Sequence, residues 1–284
     1  MRPIILVAET GSDITPELAE QYQIQIVPMH VAFDGETRDD GAFPVEDICE
    51  YYQATGKLPT TSGSTPEDFN ILFDAIHEEW PEALILYLAY SAVTTCSYQS
   101  AVMASEGRDY VTAIDTKQVS VGQANVVVSV ARALQANPDM TLEEAVECAM
   151  DRIGRAKMCF LPDNLEFLRA GGRVSNVACL GSRILSLHPC IEILDGRLLA
   201  TKKYRGKMEK VAAQLIEDYA GKYDLEREEL WVVYTVGLAD SVKESAAQAA
   251  EKCGFAKVNW IRANGVITTQ GGPAAFGIAG FARK

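Results

Sequence analysis

Thr60-Thr61-Ser62-Gly63-Ser64-Thr65 sets five hydroxyl side chains within six residues, directly ahead of Pro66-Glu67-Asp68, which reads as the first turn of a helix. Backbone N–H groups at a helix start have no partner within the helix and carry partial positive charge. Hydroxyls beside them add neutral donors, and such a combination holds an anion without a paired cation. The same residues also fit an ordinary cap, with Thr65 as N-cap, Asp68 completing a box and the rest as loop. A second cluster, Ser91, Thr94, Thr95 and Ser97, follows the apolar run Ala83 to Tyr90. Open parallel sheets bind ligands at the carboxyl ends of their strands, so this junction is well placed for binding. Residue types alone leave capping and ligand binding both open at each cluster.

Two further stretches are rich in glycine. In EFLRAGGRVSN, Gly171-Gly172 permits a tight turn that presents Arg169 or Arg173, the latter to an anionic group or a partner's acidic surface, or both arginines to solvent. In VITTQGGPAAFGIA, Gly271-Gly272-Pro273 lets backbone approach a ligand closely ahead of a short helix. The chain carries no Walker loop, no strand-linked GxGxxG, no GxSxG elbow and no HExxH. His30, His77 and His188 are the only histidines, and none adjoins a hydroxyl cluster in sequence. FDGETRDDG reads as a solvated hairpin loop, because its acids lack EF-hand spacing.

The elements that must position these residues alternate in the first half. PIILVAE, IQIVPMHVAF, ALILYLAY and YVTAID read as strands, separated by helices that start with Thr15-Pro16-Glu17, FPVEDICEYYQA and TPEDFNILFDAIHEEW. That rhythm implies parallel strands joined by crossover helices. Helices over Val119 to Gln135 and from Thr141 follow, the second opening with a Thr141/Glu144 capping box. The pattern then changes. IEILDGRLLATKKY is a hairpin turning at Asp195-Gly196, followed by a helix to about Tyr219, the strand ELWVVYTV, a helix from Ser241 and the strand KVNWIR. The expected fold class is α/β: a parallel, doubly wound N-terminal domain over 1–160 and a mixed or antiparallel α+β domain over 161–284.

With 284 residues, 48% of them hydrophobic, the chain can build two cores, and its net charge of -13 excludes a nucleic-acid partner. The longest apolar run is strand-sized and no signal peptide is evident, so stable membrane insertion is not expected and the cytoplasm is. Seven dispersed cysteines without CxxC read as reduced core thiols. No cofactor and no metal are indicated. Against the acidic background, Arg197, Lys202, Lys203, Arg205, Lys207 and Lys210 form a local basic excess, fitting an acidic partner, a membrane surface or solvent.

The order of motifs resembles the DegV family, bacterial proteins that bind a long-chain fatty acid. PTTSGSTPEDF looks like its PTTSQPSP-type loop, SAVTTCSYQSA like its SS-x-LSGTYQSA segment and FLRAGGRVSN like YL-x-x-GGRI. LGSRILSLHPCIEILDGRL and GVITTQGGPAAFGI are similar to its LG-x-x-L-x-IKPIL-x-x-x-DG-x-I and PVIGTHTGPGA-x-G runs. The resemblance implies an acyl chain between the domains, with its carboxylate at Thr61, Ser62, Ser91 and Thr95, and Gln270 at the family's histidine position. It also implies a carrier, not an enzyme, that presents the lipid to a fatty acid kinase, with Arg173 serving that step. Glutamine can donate a hydrogen bond but cannot hold a proton near neutrality, which implies reduced kinase turnover. The residues leave open an enzyme acting on a small carboxylate or acyl substrate in the same cleft, or a lipid-responsive regulator.

Overall fold

The computed structural model describes residues 2–174 and 187–284. Ser175 and Asn176 of the arginine turn, Cys179, and the LGSRILS part of the resemblance lie outside those residues.

The first lobe begins with β1 (Ile4–Glu9), α1 (Pro16–Tyr22), β2 (Gln25–Val27), β3 (His30–Phe33) and β4 (Glu36–Asp39). It continues through α2 (Glu46–Thr55), β5 (Thr60–Ser62), α3 (Pro66–Glu79), β6 (Leu84–Ala89) and α4 (Ser97–Ala104). Then come β7 (Val111–Asp115), α5 (Ser120–Ala136) and α6 (Leu142–Arg155). Strands β2-β1-β6-β7 form the expected parallel sheet, buried on both faces. Leu6, Ala8, Leu86 and Leu88 face α5 and α6, while Val7, Ile85, Tyr87 and Ala89 face α3 and α4. That alternation is why these strands read as unbroken apolar runs. The caps fall where residue types place them: Thr15, Thr65 and Thr141 each accept a backbone N–H, the last two in reciprocal boxes with Asp68 and Glu144.

Two local expectations change. IQIVPMHVAF is two strands in two sheets, because Pro28 lacks the N–H a continuous ladder requires. The hydroxyl residues Thr60–Ser62 are the short strand β5, not loop, completing an antiparallel sheet in the order β4-β3-β5. The acidic FDGETRDDG segment forms the β3–β4 hairpin, turning at Asp34-Gly35 with both φ positive.

The second lobe contains β8 (Ala156–Leu161), α7 (Glu166–Gly171), β9 (Leu187–Leu194), β10 (Arg197–Arg205) and α8 (Met208–Lys222). It ends with β11 (Leu230–Tyr234), α9 (Asp240–Lys252), β12 (Val258–Arg262), α10 (Gly265–Gly271) and β13 (Phe276–Phe281). Its six strands run β10-β9-β8-β13-β11-β12, antiparallel except for β11 with β12. This is the mixed sheet expected. Strand β8 belongs to it, so sheet membership changes between Arg155 and Ala156, a few residues ahead of the expected division after residue 160. The helix in the glycine-rich tail ends at Gly271 instead of following Gly271-Gly272-Pro273; Gly272, at φ 74°, caps α10, and a strand follows.

Helix α5 lies between the two sheets. It packs against β1 and β6 on one side and against β8, β11 and β13 on the other, with Val121 to Val128 fully or nearly fully buried. A helix buried on nearly every side, apolar there except for Ser120, Gln123 and Asn125, suits such a central layer. The main core runs from Leu86 and Leu88 through α5 to Met158, Val233 and Ala279, so the lobes share one continuous interior. Of the six described cysteines, all free, only Cys159 and Cys190 are buried.

Candidate functional site

Thr61, Ser62, Thr95, Arg173 and Gln270 line one cavity of about 50 Å³, together with Met29 and Tyr90. Six separate pieces of chain converge there: the segment between β2 and β3, β5, the turn after β6, the residues after α7, β10 and α10. Gln270 Nε2 donates to Thr61 Oγ1 at 2.8 Å, which leaves the Thr61 hydroxyl hydrogen free for an acceptor in the cavity. Thr95 Oγ1 lies 3.2 Å from Ser97 Oγ, and Ser64 N donates to that Ser97 oxygen at 3.0 Å. Gly63 makes the junction possible, since a Cβ there would collide with Thr95 and Ser97. Gly171 does the same for Gln270. Ser91 is elsewhere. Its buried Oγ donates to Gly196 O at 2.7 Å and so fastens the β9–β10 turn to the first lobe.

A second cavity, also about 50 Å³, is walled by Val119, Met158, Phe160, Val233, Ile267 and Phe276 among others, and is almost entirely apolar. Tyr90, Leu198 and Gln270 border both cavities and form the partition between them. A cavity of roughly 150 Å³ takes one benzene ring. Neither chamber accepts a long aliphatic chain without displacement of its walls. The polar chamber also adjoins an outer cavity of about 260 Å³ at the surface, lined by Val93, Thr94, Gly172, Arg173 and Arg197.

Three buried acids stand behind the polar chamber. Glu9 accepts from the Tyr87 hydroxyl, from Tyr90 N at 3.1 Å and from Gln123 Nε2 at 2.7 Å. Asp13 accepts from Ser120 Oγ and from Asn264 N at 2.7 Å, and Asp40 accepts from Val266 N at 3.2 Å. None of the three forms an ion pair among the described residues. Burial therefore raises all three: Glu9 and Asp40 are pushed up, and Asp13 reaches about 8, with the hydrogen bonds opposing burial in each case. Asp13 and Asp40 both hold the start of α10, the helix that carries Gln270.

No histidine lines these cavities. His30 sits between Asp39 and Asp68 at 3.0 and 2.9 Å, His77 stacks on Tyr110, and His188 Nε2 meets Gly206 O. Among the described residues no group of acids, histidines and cysteines is arranged to hold a metal ion, and no helix is long and apolar enough to cross a membrane. Sequence reasoning missed Tyr90 and Leu198. Tyr90 was readable only as the end of a buried run, yet it directly follows the carboxyl end of β6, where the strand-end rule directs attention.

The model of the DegV family, described as "Uncharacterised protein, DegV family", matches residues 3–283. A fatty acid-binding protein of Thermotoga maritima is 32% identical over 76% of each chain. A DegV domain-containing protein of Caldanaerobacter subterraneus is 29% identical over 98% of each. Among solved structures, a DegV lipid-binding protein of Thermotoga maritima superposes with a TM-score of 0.84 at 26% identity, covering 99% of this chain and 100% of its own.

Proposed function

We propose that this chain, which belongs to the DegV family, is a carrier that binds a long-chain fatty acid, its carboxylate in the polar chamber and its tail in the apolar one. The observation that carries this reading is the adjacency of the chambers: neutral donors from Thr61, Ser62, Thr95 and Gln270 meet Arg173 on one side of a shared partition, and a nearly wholly apolar cavity lies on the other. The fatty acid-binding relative from Thermotoga maritima supports the same ligand class.

The two chambers divide the work physically. Burying about sixteen carbons at ~0.8 kcal/mol per methylene yields on the order of 12 kcal/mol before ordering losses. A single neutral hydrogen bond contributes only about 1 kcal/mol net. The tail thus supplies affinity, and the hydroxyls fix register and keep the carboxylate from being buried without partners. Ser91 contributes indirectly by holding the hairpin turn, with Leu198 just beyond it, over the site. Arg173 borders both the polar chamber and the outer cavity, where Arg197 also lies. Two guanidinium groups at that mouth suit presentation of the head group to a fatty acid kinase, whose phosphoryl oxygens they would contact.

Mass spectrometry of the native protein, with lipid extraction, tests the ligand class: a retained long-chain acid supports the carrier, and a lipid-free protein that turns over acyl esters defeats it. Titration tests the head-group assignment. Thr61→Val should weaken a fatty acid about fivefold, one hydrogen bond's worth, and leave its methyl ester less affected. Equal losses for both ligands would remove Thr61 from the site.

A further inference from the structure

The partition between the chambers is made by three side chains, and one of them is unlike the others. Tyr90 brings a rigid ring, Leu198 and Gln270 brings flexible chains. The Tyr90 backbone is pinned, because its N–H donates to both oxygens of the buried Glu9 carboxylate at 3.1 Å. Glu9 is itself held by Tyr87 and Gln123, so the main chain at this point cannot easily yield. Any opening must come from rotation of the ring about its side-chain bonds. The ring rests against Gly11. A Cβ built there would lie 3.2 Å from Tyr90 Cε2 and 2.5 Å from Met29 Sδ, so the absence of a side chain at residue 11 is what gives the ring its present seat.

We propose that Tyr90 is a specificity-determining gate, whose ring closes the path from the polar chamber to the apolar one and so sets which acyl chains this protein accepts. The proposal rests on the fatty-acid reading of the site and adds a selection step to it. The polar chamber, at about 50 Å³, has room for little beyond the carboxylate. A tail must therefore turn the ring away from Leu198 and Gln270 before its methylenes reach Val119, Met158 and Phe276, and each further methylene gains burial only through that opening. The discrimination is steric, since the wall on the far side is equally apolar for every aliphatic tail.

The test compares binding of saturated acids of about eight, twelve and sixteen carbons, each methylene adding its increment of burial only if it can enter. Tyr90→Ala should raise affinity for the longest acid relative to the shortest by at least about tenfold. Leu198→Ala, which thins the partition from the second lobe, should shift the ratio in the same direction and keeps the test intact if the first variant folds poorly. Tyr90→Phe retains the ring and should shift the ratio far less than Tyr90→Ala. Gly11→Ala should displace Met29 and push the ring into the passage, moving preference toward shorter acids. Unchanged length profiles in folded Tyr90→Ala and Leu198→Ala, with binding retained, would overturn the gate alone. Loss of every acid from Tyr90→Ala, with Tyr90→Phe normal, would overturn it too, by making the ring a required wall. Failure of the unaltered protein to bind any of the acids would instead overturn the fatty-acid reading, and the gate with it.

Discussion

Glu9 and Glu192 are both strand glutamates with almost no solvent exposure, at 0% and 3%, yet the two lobes treat them oppositely. Glu9 ends β1 behind the polar chamber and receives only neutral donors, and burial pushes its proton affinity up. Glu192, on β9, receives Lys222 Nζ at 2.8 and 2.9 Å and the hydroxyls of Thr201 and Tyr223. Burial is again the largest single influence and acts upward, but the hydrogen bonds and the Lys222 charge together outweigh it and hold Glu192 below its ordinary value. The contrast separates a joint from a site. On the outer side of the second lobe an ion pair ties the end of α8 to the sheet. Around the cavities, Glu9, Asp13 and Asp40 have no cation, so no ion pair with them consumes the positive charge of Arg173.

The largest effect should come from breaking the joint. Lys222→Ala leaves the buried Glu192 carboxylate with only the Thr201 and Tyr223 hydroxyls and should lower stability by about 2 kcal/mol in urea unfolding, less than a fully buried pair because the Lys222 side chain is itself 51% exposed. A loss under about 1 kcal/mol would erase the contrast. The next effect is the sign of the pH dependence. Asp13 rises from 3.8 to about 8 on folding, so the folded state holds its proton more tightly. Its contribution is complete below about pH 4 and is lost as pH climbs toward about 8, with a slope of at most about 1.4 kcal/mol per unit. Glu192 behaves in the opposite way: its stabilisation is present above its ordinary 4.5 and disappears as pH falls below that value. Thermal unfolding should show a decline between about pH 4 and about pH 8 that Asp13→Asn flattens; an unchanged slope in that variant would assign the titration to another group. The smallest effect separates the two glutamates directly. Glu9→Gln should cost about 1 kcal/mol or less at neutral pH and Glu192→Gln about 2, and the reverse order would show that Glu9 is the more firmly ionised of the pair.

The parts of the site legible in the sequence were those where residue type and element end coincide. Thr61 and Ser62 stood out as hydroxyls next to a helix start, and Thr95 as a hydroxyl just past a buried strand. Position along the chain marked the two clusters, and the family resemblance singled out these residues within them. Ser91 shows the limit of that reasoning. It occupies the same strand end as Thr95, but its hydroxyl is taken by Gly196 O, over a hundred residues away in sequence, a partner that no local pattern reveals. Leu198 was a hairpin apolar residue like any other until the β9–β10 turn was fastened over Tyr90.

By itself the sequence determined the elements and most of their caps, because hydrophobic period, proline, glycine and capping chemistry act within a few residues of one another. It determined the alternating first lobe, the Asp195-Gly196 hairpin and the acidic surface in the same way. Only the tertiary structure decided that one helix would serve two sheets, that Thr61 would meet Gln270, and that Tyr90 would stand between two chambers. Those outcomes depend on the volume left between walls supplied by distant segments of both lobes, and a volume of that kind exists only once every wall is in place.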